Sequence, residues 1–283
     1  MKTIEKIGCG TILVTDGSLK YIRFECLNEY DQILSHFMST RIGGVSQGEC
    51  CSLNLGFNRN DDNRNVLENY RRLCTCADIQ PETMVMTNQV HGTRVSKVDS
   101  IDKGKGFIKK SDIRETDGLL TVTPGITMVT FHADCVPVFL FEPVIRAAAL
   151  LHSGWKGTLS NIVSSAVLEM KRLPGFDPKR LVAVLGPSIG HCCFEVDEDV
   201  YDKFKTKYDS KKFYRVKPDK KWNIDLKGII KKELADEGLD VNNIHDSGIC
   251  TKCRSDLFFS HRADEGRTGS MAAFMQIKPQ GSF

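Results

Sequence analysis

The chain is poor in the features that mark several large classes of protein. It has 2 Trp and 9 Pro in 283 residues, an aromatic share of 8%, and a net charge of +3 from 39 Lys+Arg against 36 Asp+Glu. A balance so close to neutral supplies no basic field for nucleic acid or for an anionic membrane surface. No apolar run approaches the roughly 20 residues that a spanning helix needs. Met1 to Gly17 carry no long apolar stretch after their charges, so no secretory signal is read there. Internal repeats and low-complexity linkers are also missing. So are the G-x-S-x-G nucleophile elbow, the Walker A loop, a strand-linked G-x-G-x-x-G and the H-x-E…P-C-x-x-C of zinc nucleobase deaminases. The 7 histidines include no His-x-His pair, too sparse a set for a blue-copper oxidase with a coupled cluster.

Cysteine, by contrast, is plentiful, at 11 residues. An odd count in a long chain without an export signal reads as reduced thiols in the cytoplasm, not as a disulfide framework. Most such thiols behave as small buried hydrophobes. The apolar share of 41% and the charged share of 27% are those of an ordinary globular protein able to bury a full core.

The pattern predicts an α/β or α+β class: one compact domain over residues 21–283 with mixed β-sheets flanked by helices, and an N-terminal arm, residues 1–20, that pairs as an edge. Ile33 to Met38 reads as a strand running into the glycine turn at Gly43-Gly44. Asp62 to Ala77 reads as a helix capped by Asp61 or Asp62, with Val66, Leu67, Tyr70 and Leu73 on its apolar face. Met84 to Met86 and Arg94 to Val98 read as strands around the turn Val90-His91-Gly92. Ile126 to Phe131, Val136 to Phe141 and Ala147 to Leu151 are short β-branched or apolar runs, which suggests strands buried on both faces. Leu159, Ile162, Val163, Ala166, Val167 and Met170 recur at helical spacing up to Pro174-Gly175. Leu181 to Leu185 reads as a strand, Leu226 to Leu234 as a late helix, and Ile244 to Ile249 as a last central strand.

Polar groups at the ends of these strands are the candidates for chemistry. His91 lies in the turn Gln89 to Thr93, Cys135 ends the stretch Phe131 to Cys135, and His152 ends the run from Ala147. Two imidazoles and a thiolate form a His₂Cys donor set that zinc accepts, with a fourth position open for water or substrate. The alternative reading of the same residues is a core thiol and two satisfied turn histidines. Cys250-Thr251-Lys252-Cys253 is a CxxC, and His191-Cys192-Cys193 offers partners. Only one clean ligand pair is visible, so these read as unligated thiols at a strand end.

Taken together, a series of motifs resembles the laccase-domain proteins, once called multicopper polyphenol oxidoreductases and associated with purine nucleoside phosphorylase activity. They include Ser39 to Ser46, Ser52 to Gly56, Gln89 to Gly92, Thr116 to Thr121, Ala133 to Pro137, His152 to Thr158, Gly186 to Gly190, Cys192 to Val196 and Phe258 to Arg262, colinear from about His36 to Phe274. The resemblance places the family's zinc-associated triad on His91, Cys135 and His152. It implies a compact sandwich related to toxin-type Cys-His deamidases. It also implies phosphorolysis of adenosine, inosine and 5′-methylthioadenosine, with adenosine deamination beside it. Zinc is the implied metal and copper the alternative. The partners are purine nucleosides and phosphate, with no nucleic acid or membrane, in a monomer or homodimer. The sequence departs from the usual pattern at His132, Ser153, Lys156 and His191.

Phosphorolysis needs a phosphate site. Arg41 in its glycine-flanked turn and the helix N-terminus at Gly157-Thr158 are the candidates, with the alternatives that Arg41 is a surface ion pair and Thr158 only a cap. Asn54 and Lys156, in the matching motifs, are assigned to the same substrate and phosphate group. Asp134, beside Cys135, either holds the purine or orients a metal-ligating histidine; the second role is favoured. Three further functions compete. They are metal-free thiol catalysis with Cys135 as nucleophile and His152 as base, copper-dependent polyphenol oxidation, and non-catalytic metal binding.

Overall fold

Alternating side chains divide the middle strands between two cores. Along Val136–Glu142, Val138 and Leu140 pack on one side and Phe139 and Phe141 on the other, and all are buried. A strand of this kind requires cover on both faces. The computed structural model, which describes residues 2–279, shows what provides it.

Among the described residues there are two large sheets. The first has the order Thr3–Gly8, Thr11–Asp16, Leu19–Phe24, Leu34–Ser39, Met271–Ile277, Thr127–His132, Met84–Met86, antiparallel except for its last pair. The second runs Ile244–Asp246, Val182–Leu185, Val136–Glu142, Ala147–Ser153, Gly118–Thr121, Val95–Lys97, with a parallel pair at each edge. Ile22, Phe24, Met38 and Met128 of the first sheet meet Leu119, Phe139, Phe141 and Leu150 of the second in the central core. The outer face of the second sheet is covered by the helices Ile162–Lys171 and Leu226–Asp236. The outer face of the first is covered by Asn63–Ala77 through Val66, Tyr70 and Leu73. The result is a helix–sheet–sheet–helix sandwich. A small third sheet, Glu195–Val196, Lys221–Ile224 and Tyr214–Lys217, packs Val196 and Ile224 into the core under the outer face of the second. Among the described residues, no helix is long and apolar enough to cross a membrane.

Several local expectations are corrected. Leu67 is exposed at 48%, while Cys74 takes a place in the buried stripe of its helix. The helix expected from Leu159 to Met170 is two helices, Trp155–Leu159 and Ile162–Lys171. Between them Asn161 adopts φ 62°, a left-handed conformation that Asn tolerates. Its side-chain oxygen is held there by the Tyr208 hydroxyl and the Lys207 ammonium. Ile244–Asp246 is an edge strand, not a central one. Thr127–His132 and Val136–Glu142, adjacent in sequence, belong to different sheets. The three residues between them, Ala133 to Cys135, therefore cross from one layer to the other, and this crossover carries the site.

Candidate active site

The loop after Met84–Met86 is held by side chains that imitate a strand. Gln89 accepts from the Phe131 amide at 2.7 Å and donates to the Phe131 carbonyl at 2.9 Å, extending the ladder beyond the last regular pair. The turn that follows puts His91 at φ 61°. Its amide and those of Val90 and Gly92 all donate to the fully buried carboxylate of Asp117, at 2.9, 3.0 and 2.8 Å. Asp117 also accepts from Nδ1 of His152 at 2.8 Å, and its own carbonyl accepts from the His152 amide at 2.7 Å. One buried carboxylate thus fixes both histidines and leaves Nε2 of His152 turned toward Cys135. Asp117 is the functional residue that the strand-end reading missed. The available signal was an acid directly preceding Gly118–Thr121, a strand buried at every position.

Cys135 enters from the crossover. The ligand atoms of His91, Cys135 and His152 lie within 4.8 Å of one another. Gly154 makes the approach feasible: a Cβ there would lie 2.9 Å from Cδ2 of His91 and 3.0 Å from Sγ of Cys135. His132 is buried behind the group, with its ring 5.4 Å from that of His152. Its Nδ1 bonds the Cys135 carbonyl and its Nε2 the Thr130 hydroxyl. Burial, followed by the charge of His152, keeps His132 neutral.

Burial opposes ionisation of both Cys135 and His152, but their mutual attraction prevails. The Cys135 thiol is drawn down by His152 and His91, and the His152 imidazole is pushed up by Cys135 and Asp117. Burial likewise opposes the Asp117 charge, yet its bonds from His152, Val90 and Gly92 hold its carboxyl below the usual range. The donor set fits a cation. A four-coordinate zinc with bonds of about 2.0–2.3 Å has ligand atoms roughly 3.3–3.8 Å apart, inside the observed limit of 4.8 Å. The carboxylate behind His152 is the usual support of a metal-binding imidazole.

The group lies in the wall of a cavity of about 1230 Å³. Phe57, Phe131 and Trp155 offer it flat apolar surfaces, and its charged lining is mixed, with Arg59, Lys110, Arg114 and Arg262 set against Glu115, Asp134, Glu195 and Asp197. Arg59 is half-buried and gives Nε to Ser270 Oγ at 2.8 Å, with no carboxylate paired to it among the described residues. Burial holds its guanidinium below the usual range, partly offset by Cys50 and Cys135.

The other expected site residues fare differently. Asp134 borders the cavity, but its carboxylate accepts from Thr251 Oγ1 at 2.6 Å and the Arg262 amide at 2.7 Å. It orients no histidine; Asp117 does. Arg41 does not line the cavity: its guanidinium donates to the carbonyls of Cys51 and Ser255 and stacks on Phe259 at 4.7 Å. Asn54 is fully buried and braces Gly56 and Ser270 through backbone bonds. Lys156 is exposed, with its ammonium over the Trp155 ring, and is not among the residues that line the cavity. Thr158 is fully buried, because the helix opens at Trp155; its amide bonds Gly154 and its hydroxyl Ser153. Neither Arg41 nor Thr158 is among the residues that line the cavity.

Comparison with known proteins bears on the family and the fold. The family model described as "Multi-copper polyphenol oxidoreductase laccase" matches residues 35–278. The chain is 32% identical over 268 residues to purine nucleoside phosphorylase YlmD of Bacillus subtilis, covering 94% of this chain and 96% of that protein. It is 34% identical over 241 residues to YlmD of Geobacillus stearothermophilus, covering 84% and 88%. The crystal structure of the latter superposes with a TM-score of 0.86 at 31% identity, covering 94% of this chain and 98% of that one. That of Bacillus licheniformis hypothetical protein YfiH gives 0.85 at 30%, covering 97% and 99%.

Proposed function

The chain belongs to the multi-copper polyphenol oxidoreductase laccase family, and we propose that it acts as a purine nucleoside phosphorylase on adenosine, inosine and 5′-methylthioadenosine. Phosphate attacks C1′, the bond from C1′ to the purine nitrogen breaks, and free base and the pentose 1-phosphate leave. The observation that carries this reading is the convergence of His91, Cys135 and His152 on a cavity that also holds the unpaired Arg59. The names borne by the relatives point the same way.

A zinc ion, or copper in its place, held by His91, Cys135 and His152 would supply a Lewis acid to the charge that develops during the reaction. The rest falls to the chain's own groups. Asp117 keeps His152 in the tautomer with Nδ1 protonated and Nε2 toward the site. Phe57, Phe131 and Trp155 provide apolar faces against which a purine ring packs and sheds water. Arg59 meets the phosphate, since a guanidinium with free N–H groups suits bidentate oxyanion binding. Deamination of adenosine belongs to the same pocket as a side activity. The thiolate–imidazolium tendency of Cys135 and His152 favours one rival, metal-free thiol catalysis.

Incubation of purified protein with each nucleoside, with and without phosphate, tests the proposal. Release of base together with the pentose 1-phosphate only when phosphate is present is expected. Phosphate-independent release, or none from folded and metal-loaded protein, overturns it. Metal content separates the thiol reading, which predicts full activity from metal-free protein.

The phosphate site gives a paired prediction. Arg59→Ala is expected to raise the phosphate KM by ~10-fold or more, the loss of a charge-assisted hydrogen bond. Arg41→Ala is expected to leave that KM unchanged and to cost about 1–3 kcal/mol of stability, because the carbonyls of Cys51 and Ser255 lose their donor. Steady-state kinetics and denaturant unfolding check the two halves.

A further inference from the structure

The sequence offered one ligand pair at Cys250 and Cys253. The fold supplies the second, because the ligand atoms of Cys192, Cys193, Cys250 and Cys253 all lie within 4.8 Å of one another. The separations measured are 3.7 Å for Cys192–Cys253 and 3.5 Å for Cys193–Cys253. A disulfide requires sulfurs at about 2.05 Å, whereas the edge of a tetrahedral four-thiolate zinc site with bonds of about 2.3 Å is roughly 3.8 Å. The observed spacing is that of ligands around an ion.

We propose that Cys192, Cys193, Cys250 and Cys253 form a second, structural metal site that takes one Zn²⁺. The local backbone is shaped for it. A tight turn, closed by the amides of Cys193 and Phe194 on the Gly190 carbonyl, sends two consecutive cysteines toward the facing CxxC. The Gly190 amide donates to Sγ of Cys250 at 3.2 Å, the kind of support that metal-bound thiolates receive. A Cβ at Gly190 would lie 3.1 Å from Cβ of Cys250 and 3.2 Å from Sγ of Cys192, so this close approach asks for glycine. Four thiolates and one Zn²⁺ carry a net charge of −2. Lys252 and Arg262 line the small depression beside Cys192 and Cys193, where they offset it, while Lys217 there is paired with Glu195.

The position gives the site a task. The Ser188 carbonyl accepts from the Thr251 amide at 2.9 Å, joining the two cysteine-bearing loops. These loops grip Asp134 from two sides: the Ile189 amide bonds its carbonyl at 2.8 Å, and Thr251 Oγ1 bonds its carboxylate. Asp134 stands at φ 86° immediately before Cys135. An ion joining the loops therefore fixes the crossover that presents Cys135. Protons leave the four thiols on binding and nothing is oxidised.

The proposal does not rest on the phosphorolysis reading, and its test is metal stoichiometry. Full-length protein purified under reducing conditions with zinc in the growth medium is expected to contain two equivalents, and Cys253→Ser one. Cys135→Ala should retain one equivalent. Loaded with Co²⁺ instead, it should show intense thiolate-to-metal absorption that Cys253→Ser removes when added to it. Chelator titration of the wild type should release zinc in two steps, a readout that needs no variant to fold. A single equivalent untouched by Cys253→Ser, a single release step, or a disulfide among these cysteines in the non-reduced protein overturns the proposal.

Discussion

Cys135→Ala and His91→Ala are each expected to lower the rate of nucleoside phosphorolysis by at least ~10²-fold. Each removes one of three donors whose atoms sit within 4.8 Å of one another, so two remain to hold a cation that three were arranged for. The loss extends beyond the metal. Without the thiol, the largest cause that raises the His152 pKa is gone, and only Asp117 still opposes burial. The two variants differ in side effects. His91 is exposed, and its backbone is held by Asp117 through the amide, which alanine keeps, so His91→Ala should fold normally. Alanine nevertheless sits less easily at φ 61°, with a cost of about 1 kcal/mol. Single-turnover assays with metal analysis on the same sample check both. A variant that lost its metal yet kept the wild-type rate would show that the cluster takes no part in the chemistry.

The second large effect is expected at Asp117. Asp117→Asn keeps the shape but replaces one oxygen by an NH₂ group facing donors. The carboxylate accepts from Val90, His91, Gly92 and His152, and the amide cannot serve all four. The turn at His91 and the tautomer of His152 should both be disturbed, with a ~10–100-fold fall in metal affinity and activity. Asp117→Ala leaves the buried His152 and three backbone amides without that acceptor, and should cost about 3–5 kcal/mol of stability. Competition with a chromogenic chelator reads the affinity, and urea unfolding the stability. An unchanged metal affinity in Asp117→Asn, with the fold intact, would reduce Asp117 to a structural acceptor.

The comparison of Asp117 with Asp134 shows how far the linear pattern carries. Both acids stand beside a site residue or an apolar strand, and sequence favours Asp134 because Cys135 follows it. In the fold, the crossover turns the Asp134 carboxylate toward Thr251 and Arg262, residues more than a hundred positions away. Asp117 points instead at the turn Val90 to Gly92, which arrives from the other sheet. Arg41 and Thr158 repeat the lesson. The glycine turn around Arg41 is present, but Ser255 and Phe259 close over its guanidinium. The helix near Thr158 is present too, but it opens at Trp155, so Thr158 falls inside it. Arg59, hidden in a polar loop, carried no local signal, since nothing in Asn58-Arg59-Asn60 says which cavity the loop borders.

Periodicity, composition and motif order determined by themselves the α/β class, the helix Asn63–Ala77, the buried strands Val136–Glu142 and Ala147–Ser153, and the identity of His91, Cys135 and His152 as the polar ends of apolar elements. These properties are local, because side-chain alternation and helical spacing are imposed by the backbone over a few residues. The tertiary structure alone decided that the three ends meet, that Asp117 ties two of them, that Arg59 faces the cavity, and that two distant cysteine pairs become neighbours. Each of these depends on which strands share a sheet and on where the chain crosses between layers. That choice is made by the burial of whole apolar faces against one another, a summed quantity that no short stretch of sequence carries.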